Sequence, residues 1–274
     1  MKVNLKSKVS KFVHNSPNFY ARGFKLFNLF LKYPIILKVV DDQILVLDKA
    51  TNFKIFNSRP RRIRRYGKGV QSRCDKLLLS YCLEELDIPD SAIIVDIGAN
   101  VGEVSYSLIQ KNNTAQIIAI EPDPQEFKDL VKNLSFSSSI ALNTVVGNYI
   151  GDIDLFLNND SGDSSVFFTE GAKNKISSTC TTLDDIYIKH IGGKNVFLVK
   201  CEAEGFEPEV LLCGKLTLSK TKYVCCDTGP ERLGKSTYED VNKILVEMNF
   251  QLIKSNKNRQ LYMNMENKLA DSYV

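Results

Sequence analysis

From residue 92 onward, short and almost unbroken apolar runs alternate with amphipathic stretches, and that alternation leaves the chain few folds to choose from. The runs at 92–97, 116–121 and 195–201 are rich in Ile and Val and have the length of strands, whereas 102–111 and 124–134 repeat their apolar residues at helical spacing. A strand without polar alternation is covered on both faces, so the expected architecture is α/β, with a mainly parallel sheet between two layers of helices. Further helices are expected at about 70–86, 183–189, 207–214 and 237–248. Further strands are expected at 140–146, 153–157, 221–227, 250–254 and 260–264. Ligands of such sheets gather beyond the carboxyl ends of the strands.

The 274 residues divide by charge. Residues 1–70 hold 16 Lys and Arg against 3 acids, a net of +13, while the remainder carries a net of −9. We therefore expect a basic extension over 1–69 and a main domain over 70–274. Residues 1–40 contain eight cations, no acid and many aromatics, which fits a short helix or arm, and 44–47 and 53–56 read as short strands. The densest charge run is Arg59, Arg61, Arg62, Arg64, Arg65 and Lys68. It is either a solvated face or a phosphate-binding surface. In the second case a phosphorylated or lipid-linked glycan ranks ahead of a membrane surface, and a membrane surface ahead of nucleic acid.

Seven cysteines lack CxxC spacing, and the two histidines, His14 and His190, are far apart, so neither a disulfide framework nor an all-protein zinc site is expected. Metal held by carboxylates stays open. The most apolar stretch, 24–40, is broken by Lys25, Lys32 and Lys38, and no cleavable leader is read at the N-terminus, so a cytoplasmic location is expected, with peripheral contact at the inner membrane surface through residues 1–70 as the alternative.

The segment VDIGANVGE at 95–103 follows a strand and opens a helix, where Gly98 and Gly102 permit a tight turn and close backbone approach. The next strand ends in Glu121, whose carboxylate can accept from both ribose hydroxyls of a nucleoside. A dinucleotide fingerprint requires glycine where this chain has Asn100, and Asp96 beside the turn repels pyrophosphate while suiting an ammonium group. The turn thus favours S-adenosylmethionine over NAD. Asp96, Gly98, Ala99, Asn100, Gly102 and Glu121 are the expected cofactor residues, with Pro122 and Asp123 flanking the adenine and Asn148 past the third strand.

These motifs resemble the FkbM-type family of adenosylmethionine-dependent methyltransferases over about residues 59–250. The resemblance is carried by RRYGKGVQSR (64–73), VDIGANVGEVS (95–105), IAIEPDP (118–124), TTLDDI (181–186) and VKCEAEGFEPEVL (199–211). GDSS (162–165) and DTGPERLGKST (227–237) extend the pattern. It implies a Rossmann-like methyltransferase domain that often O-methylates a sugar, polysaccharide or polyketide, with the 64–73 motif as a substrate-side cover. The family usually shows KIDVEG where this chain has KCEAEG (200–205), so Glu202 replaces an aspartate and its carboxylate reaches about one carbon–carbon bond further.

Methyl transfer to a hydroxyl requires an aligned acceptor and a group that takes its proton. Lys200, Glu202 and Glu204 alternate at a strand's carboxyl end and share one side if the chain stays extended through Glu204. Glu202 first and Glu204 second are the expected base or metal ligand, with Lys200 as charge partner; a structural ion pair is the alternative. Asp227 reaches the same cleft or forms a turn, His190 is expected to be structural, and Ser164 and Ser165 lie in a loop able to close over substrate. No DPPY or NPPY follows the fourth strand, which makes oxygen the expected acceptor. A non-catalytic binding protein and an RNA-interacting methyltransferase remain the rival readings.

Overall fold

The structure is a computed structural model that describes residues 16–157, 164–167 and 174–266. It contains two compact units, Met1–Lys76 and Leu77–Val274.

In the first unit, the helix Pro17–Leu31 is capped by Ser16, whose hydroxyl accepts from the Phe19 amide, and has proline at its start. Three antiparallel strands follow: β1 (Ile35–Val40), β2 (Gln43–Asp48) and β3 (Lys54–Phe56). The strand β1 was not anticipated within the expected N-terminal arm; its Ile35 is buried together with Ile44, Val46 and Ile55. The basic run is not a uniform solvated face either, because Arg59 and Arg62 are buried while Arg64 and Arg65 are exposed.

The helix expected over 70–86 ends at Ser80, since Cys82 takes a left-handed φ of 60° that no helix continues through. The second unit then builds its main sheet from β4 (Ile93–Ile97), β5 (Gln116–Ile120), β6 (Ile140–Leu142), β11 (Val196–Cys201), β12 (Thr221–Asp227), β13 (Phe250–Asn256) and β14 (Arg259–Asn264). Their order is β13-β14-β12-β11-β4-β5-β6. The five strands from β6 to β12 run parallel, and β14 pairs antiparallel with both β12 and β13. Alternate residues feed two cores. Ile93, Val95 and Ile97 pack with Val210, Leu211, Val241 and Leu245 on one face. Ile94 packs with Leu108, Ile109, Leu130 and Leu134 on the other. This is the expected Rossmann-like sheet with helices on both faces.

Two expectations need correction here, and one strand was missed. The strand expected at 140–146 is two strands, because after β6 the chain leaves the main sheet and β7 (Val145–Gly147) pairs with β10 (Asn174–Thr182). A four-stranded sheet of order β7-β10-β8-β9 results, with β8 (Gly151–Leu157) and β9 (Ser164–Ser165). The strand β10 escaped notice because NKISSTCTT has no apolar run; only Cys180 is fully buried. The helix expected at 207–214 stops at Leu212, and a separate short helix, Lys215–Ser219, follows.

Candidate active site

The site begins where β4 ends. Ala99 donates to the Ile120 carbonyl (2.9 Å), and Asn100, at φ 55°, turns its amide onto Glu121 Oε2 (2.8 Å). The other Glu121 oxygen accepts from the Asp123 amide at 2.8 Å. Burial pushes the Glu121 carboxyl up to about 8, against the pull of those two amides. Asp123 caps the helix Pro124–Leu134 by accepting from the Gln125 amide (2.8 Å). Asn143, just past β6, donates to the Glu121 and Pro122 carbonyls at 2.8 and 3.1 Å.

The two glycines serve chain packing as well as the turn. A Cβ on Gly98, at φ 68°, would meet the Glu202 carbonyl oxygen at 1.9 Å, and one on Gly102 would meet Leu130 at 2.7 Å. Gly98 thereby lets the turn after β4 lie against the end of β11.

Asp96 shares the Ile94 side of β4. One of its oxygens accepts from Ser105 Oγ (2.6 Å), and the other lies 3.1 Å from Lys200 Nζ. Asp96 is fully buried, and Lys200 is the cation beside it. Lys200 also donates to the carbonyls of Ile97 (3.1 Å) and Gly98 (2.8 Å) and lies 3.3 Å from Glu202 Oε2. Burial alone would lower its pKa, but the Asp96 and Glu202 carboxylates outweigh it and hold the ammonium above the ordinary lysine value.

Glu202 is the hub of a larger cluster. The Tyr81 hydroxyl donates to Oε2, and Arg259 Nη2 lies 3.3 Å from Oε1. Arg259 also donates to Asp227 Oδ2 (2.8 Å) and Ser80 Oγ (2.7 Å), with its guanidinium 3.9 Å from the centre of the Tyr81 ring. Burial would raise the Glu202 pKa, yet Lys200 and Arg259 prevail and hold it below the ordinary glutamate value. Asp227 behaves oppositely: burial, then the nearby Glu202 charge, push it up in spite of Arg259. Glu231 is raised for the same reasons, burial first and then Asp227 and Glu202.

Lys200 and Glu202 are therefore brought together as expected from their spacing, but Glu204 is not carried on by the same alternation. β11 ends at Cys201 and Glu204 takes a left-handed φ of 51°, so the chain has turned away. The Glu204 carbonyl accepts from Ser165 Oγ (3.3 Å). Glu207 fastens that turn, accepting from the amides of Ala203 (2.8 Å) and Gly205 (3.1 Å) and from Thr237 Oγ1 (3.0 Å). Asn148 lies past β7, exposed, and not past the third strand of the main sheet, the position that Asn143 holds. His190 is exposed at the end of the turn Tyr187–Ile191. Gly162 and Asp163 of the GDSS motif lie outside the described residues. Among the described residues, no group of three or more His, Cys, Asp or Glu is placed to hold a metal ion. Sequence reasoning missed Tyr81, Arg259 and Glu231; no motif among those read from the sequence contains the first two, and Glu231 was visible only as part of DTGPERLGKST.

A model of the methyltransferase FkbM domain matches residues 96–252, more than half of the chain. The chain belongs to the FkbM methyltransferase family. This FkbM protein is 24% identical over 192 residues to the 2-O-methyltransferase NoeI of Sinorhizobium fredii, covering 64% of this chain and 79% of that one. It is 30% identical over 66 residues to the methyltransferase sdnD of Sordaria araneosa, covering 24% of this chain and 26% of that one. Among solved structures, a TehB-like SAM-dependent methyltransferase from Corynebacterium glutamicum aligns with a TM-score of 0.41 and 10% identity, covering 74% of this chain and 95% of that one. The FkbM protein is thus a methyltransferase. No described helix is long and apolar enough to cross a membrane.

Proposed function

We propose that the protein binds S-adenosylmethionine between the turn after β4 and Glu121, and transfers its methyl group to a hydroxyl oxygen of a carbohydrate or related metabolite. The observation that carries this reading is the union of two features at the carboxyl ends of adjacent strands. One is the buried Glu121 carboxyl; the other is the cluster of Lys200, Glu202, Asp227 and Arg259, joined to it through the contact of Gly98 with the Glu202 carbonyl.

The residues present fit an adenosine sugar. Each Glu121 oxygen accepts one backbone amide, and a carboxylate oxygen has about two acceptor sites, so each retains one for a ribose hydroxyl. When bound, the sulfonium supplies an electrophilic methyl group, which leaves alignment and proton handling to the protein. Glu202, pinned by Tyr81, Lys200 and Arg259, holds the cluster in place and is a weak base because of its cations. Asp227 keeps a raised pKa and is better matched to accept the hydroxyl proton, while Arg259 orients it. An oxygen acceptor is supported by the likeness to NoeI, a 2-O-methyltransferase.

The test is direct. Adenosylmethionine should raise the melting temperature of the purified protein, and Glu121→Ala should abolish the shift. Methyl-tritiated cofactor should then label a glycan fraction in a base-stable ether linkage. Stabilisation by NADH with none by adenosylmethionine would overturn the proposal.

A further inference from the structure

The first unit carries a feature that methyl transfer does not use. The helix Pro17–Leu31 is tied down by one stripe of side chains. Tyr20 Oη donates to the Pro60 carbonyl (2.9 Å), Phe24 packs on Tyr33 with ring centres 6.3 Å apart, and Asn28 Nδ2 donates to the carbonyls of Tyr33 and Ile35, both at 3.2 Å. These positions recur every four residues and so mark the inward face. The exposed surface of the helix is apolar: Phe19, Leu26, Leu29 and Phe30 cluster away from that stripe and Phe27 lies exposed at its flank, Leu26 by 67% and Phe30 by 86%.

An exposed set of five large apolar side chains on a helix with no buried residue is far from the ordinary surface of a water-soluble domain. The charges beside it identify its partner. Arg22 and Lys25 are exposed on the same helix, Lys32 caps its end, and residues 1–40 hold eight cations with no acid at all. A protein partner would need an apolar groove with an acidic rim. An anionic bilayer offers an apolar layer beneath a negatively charged surface over an unlimited area, which is the setting for helices of this type. At fifteen residues the helix is too short to span the hydrocarbon core, so it would lie in the plane of the interface.

We propose that the helix Pro17–Leu31 is an interfacial membrane anchor. Its Phe and Leu side chains enter the acyl boundary of an anionic leaflet, and Arg22, Lys25 and Lys32 pair with lipid phosphates.

The sequence contains no tryptophan, so Leu29→Trp introduces a single reporter on the outward face. With vesicles of phosphatidylcholine and phosphatidylglycerol, its emission should shift to the blue and be quenched by brominated acyl chains. Phosphatidylcholine alone should give a far weaker response. In sedimentation with the mixed vesicles, Leu26→Asp with Phe30→Asp should lower partitioning by about tenfold or more, and Lys25→Gln with Lys32→Gln should do so by a similar factor. Because all four side chains point outward, melting temperatures should stay near that of the parent; the lysine pair tests the idea again if the aspartates disturb folding. Equal partitioning of the parent and both variants, or an unshifted emission, would overturn the anchor. So would a parent dimer that Leu26→Asp with Phe30→Asp dissolves while no form binds vesicles, or retention on RNA in place of vesicles.

Discussion

Lys200 Nζ stands 3.1 Å from Asp96 Oδ1 because the two residues are direct partners in the parallel register of β11 and β4. Both side chains are sealed, at 1% and 0% exposure, so neither charge has water to fall back on. Breaking such a pair from one side leaves a buried charge alone, which typically costs about 3–5 kcal/mol. Lys200→Met should therefore lower the urea-unfolding free energy by about that amount, and adding Asp96→Asn should recover most of it. Equal stability of the single and double variants would show that the pair is not coupled.

If Glu121 holds the cofactor as proposed, it should make binding depend on pH. Its carboxyl is raised to about 8 from the ordinary 4.5, so without cofactor the folded chain retains a proton that the unfolded chain has lost. The folded state binds more protons throughout that window, and stability should fall as the pH rises from 4.5 towards 8. The proposed ribose hydroxyls would donate to the ionised form, so binding should expel the proton. The Kd for adenosylmethionine should decrease with rising pH by at most about tenfold per unit and level off above the Glu121 pKa. Calorimetry in buffers of different ionisation enthalpy would count the released proton, and Glu121→Gln should bind weakly with no such dependence.

Gly98→Ala should damage fold and site together. Alanine at φ 68° is strained by about 1–2 kcal/mol, and its Cβ would have to displace the Glu202 carbonyl, 1.9 Å away. A lower melting temperature together with a lost cofactor shift is the expected result. Wild-type behaviour would mean that the turn after β4 does not lie against β11.

Asp227 and Glu202 should separate in kinetics. Asp227→Asn removes the carboxylate with the raised pKa, so kcat should drop by about 10²–10⁴-fold with the KM for cofactor little changed. The acid limb of the kcat profile should disappear with it. Arg259→Gln frees both carboxylates from one cation, and the acid limb should move to higher pH. Full activity of Asp227→Asn would assign the proton to another group, Glu231 being the nearest alternative by its raised pKa.

The strands β4, β5, β11 and β12, the glycine turn and Glu121 were all legible in the residues themselves. A strand buried on both faces must be apolar throughout, and a turn at positive φ with a close backbone neighbour must use glycine, so both leave local traces. Lys200 and Glu202 were legible for the same reason, being two residues apart at a strand end. Their partners were not. Tyr81 and Glu202 are 121 residues apart and Arg259 and Glu202 are 57 apart; Arg259 reaches the cluster because β14 inserts antiparallel beside β12, setting it opposite Asp227. Likewise, β6 and β7 read as one strand until β10, a segment with no apolar run, pairs with β7 and draws it into a second sheet. Burial is written along the chain as periodicity, whereas the choice of neighbour is made by sheet order. The electrostatics of this site, including which carboxylate is held low and which is pushed up, follow from the second and not the first.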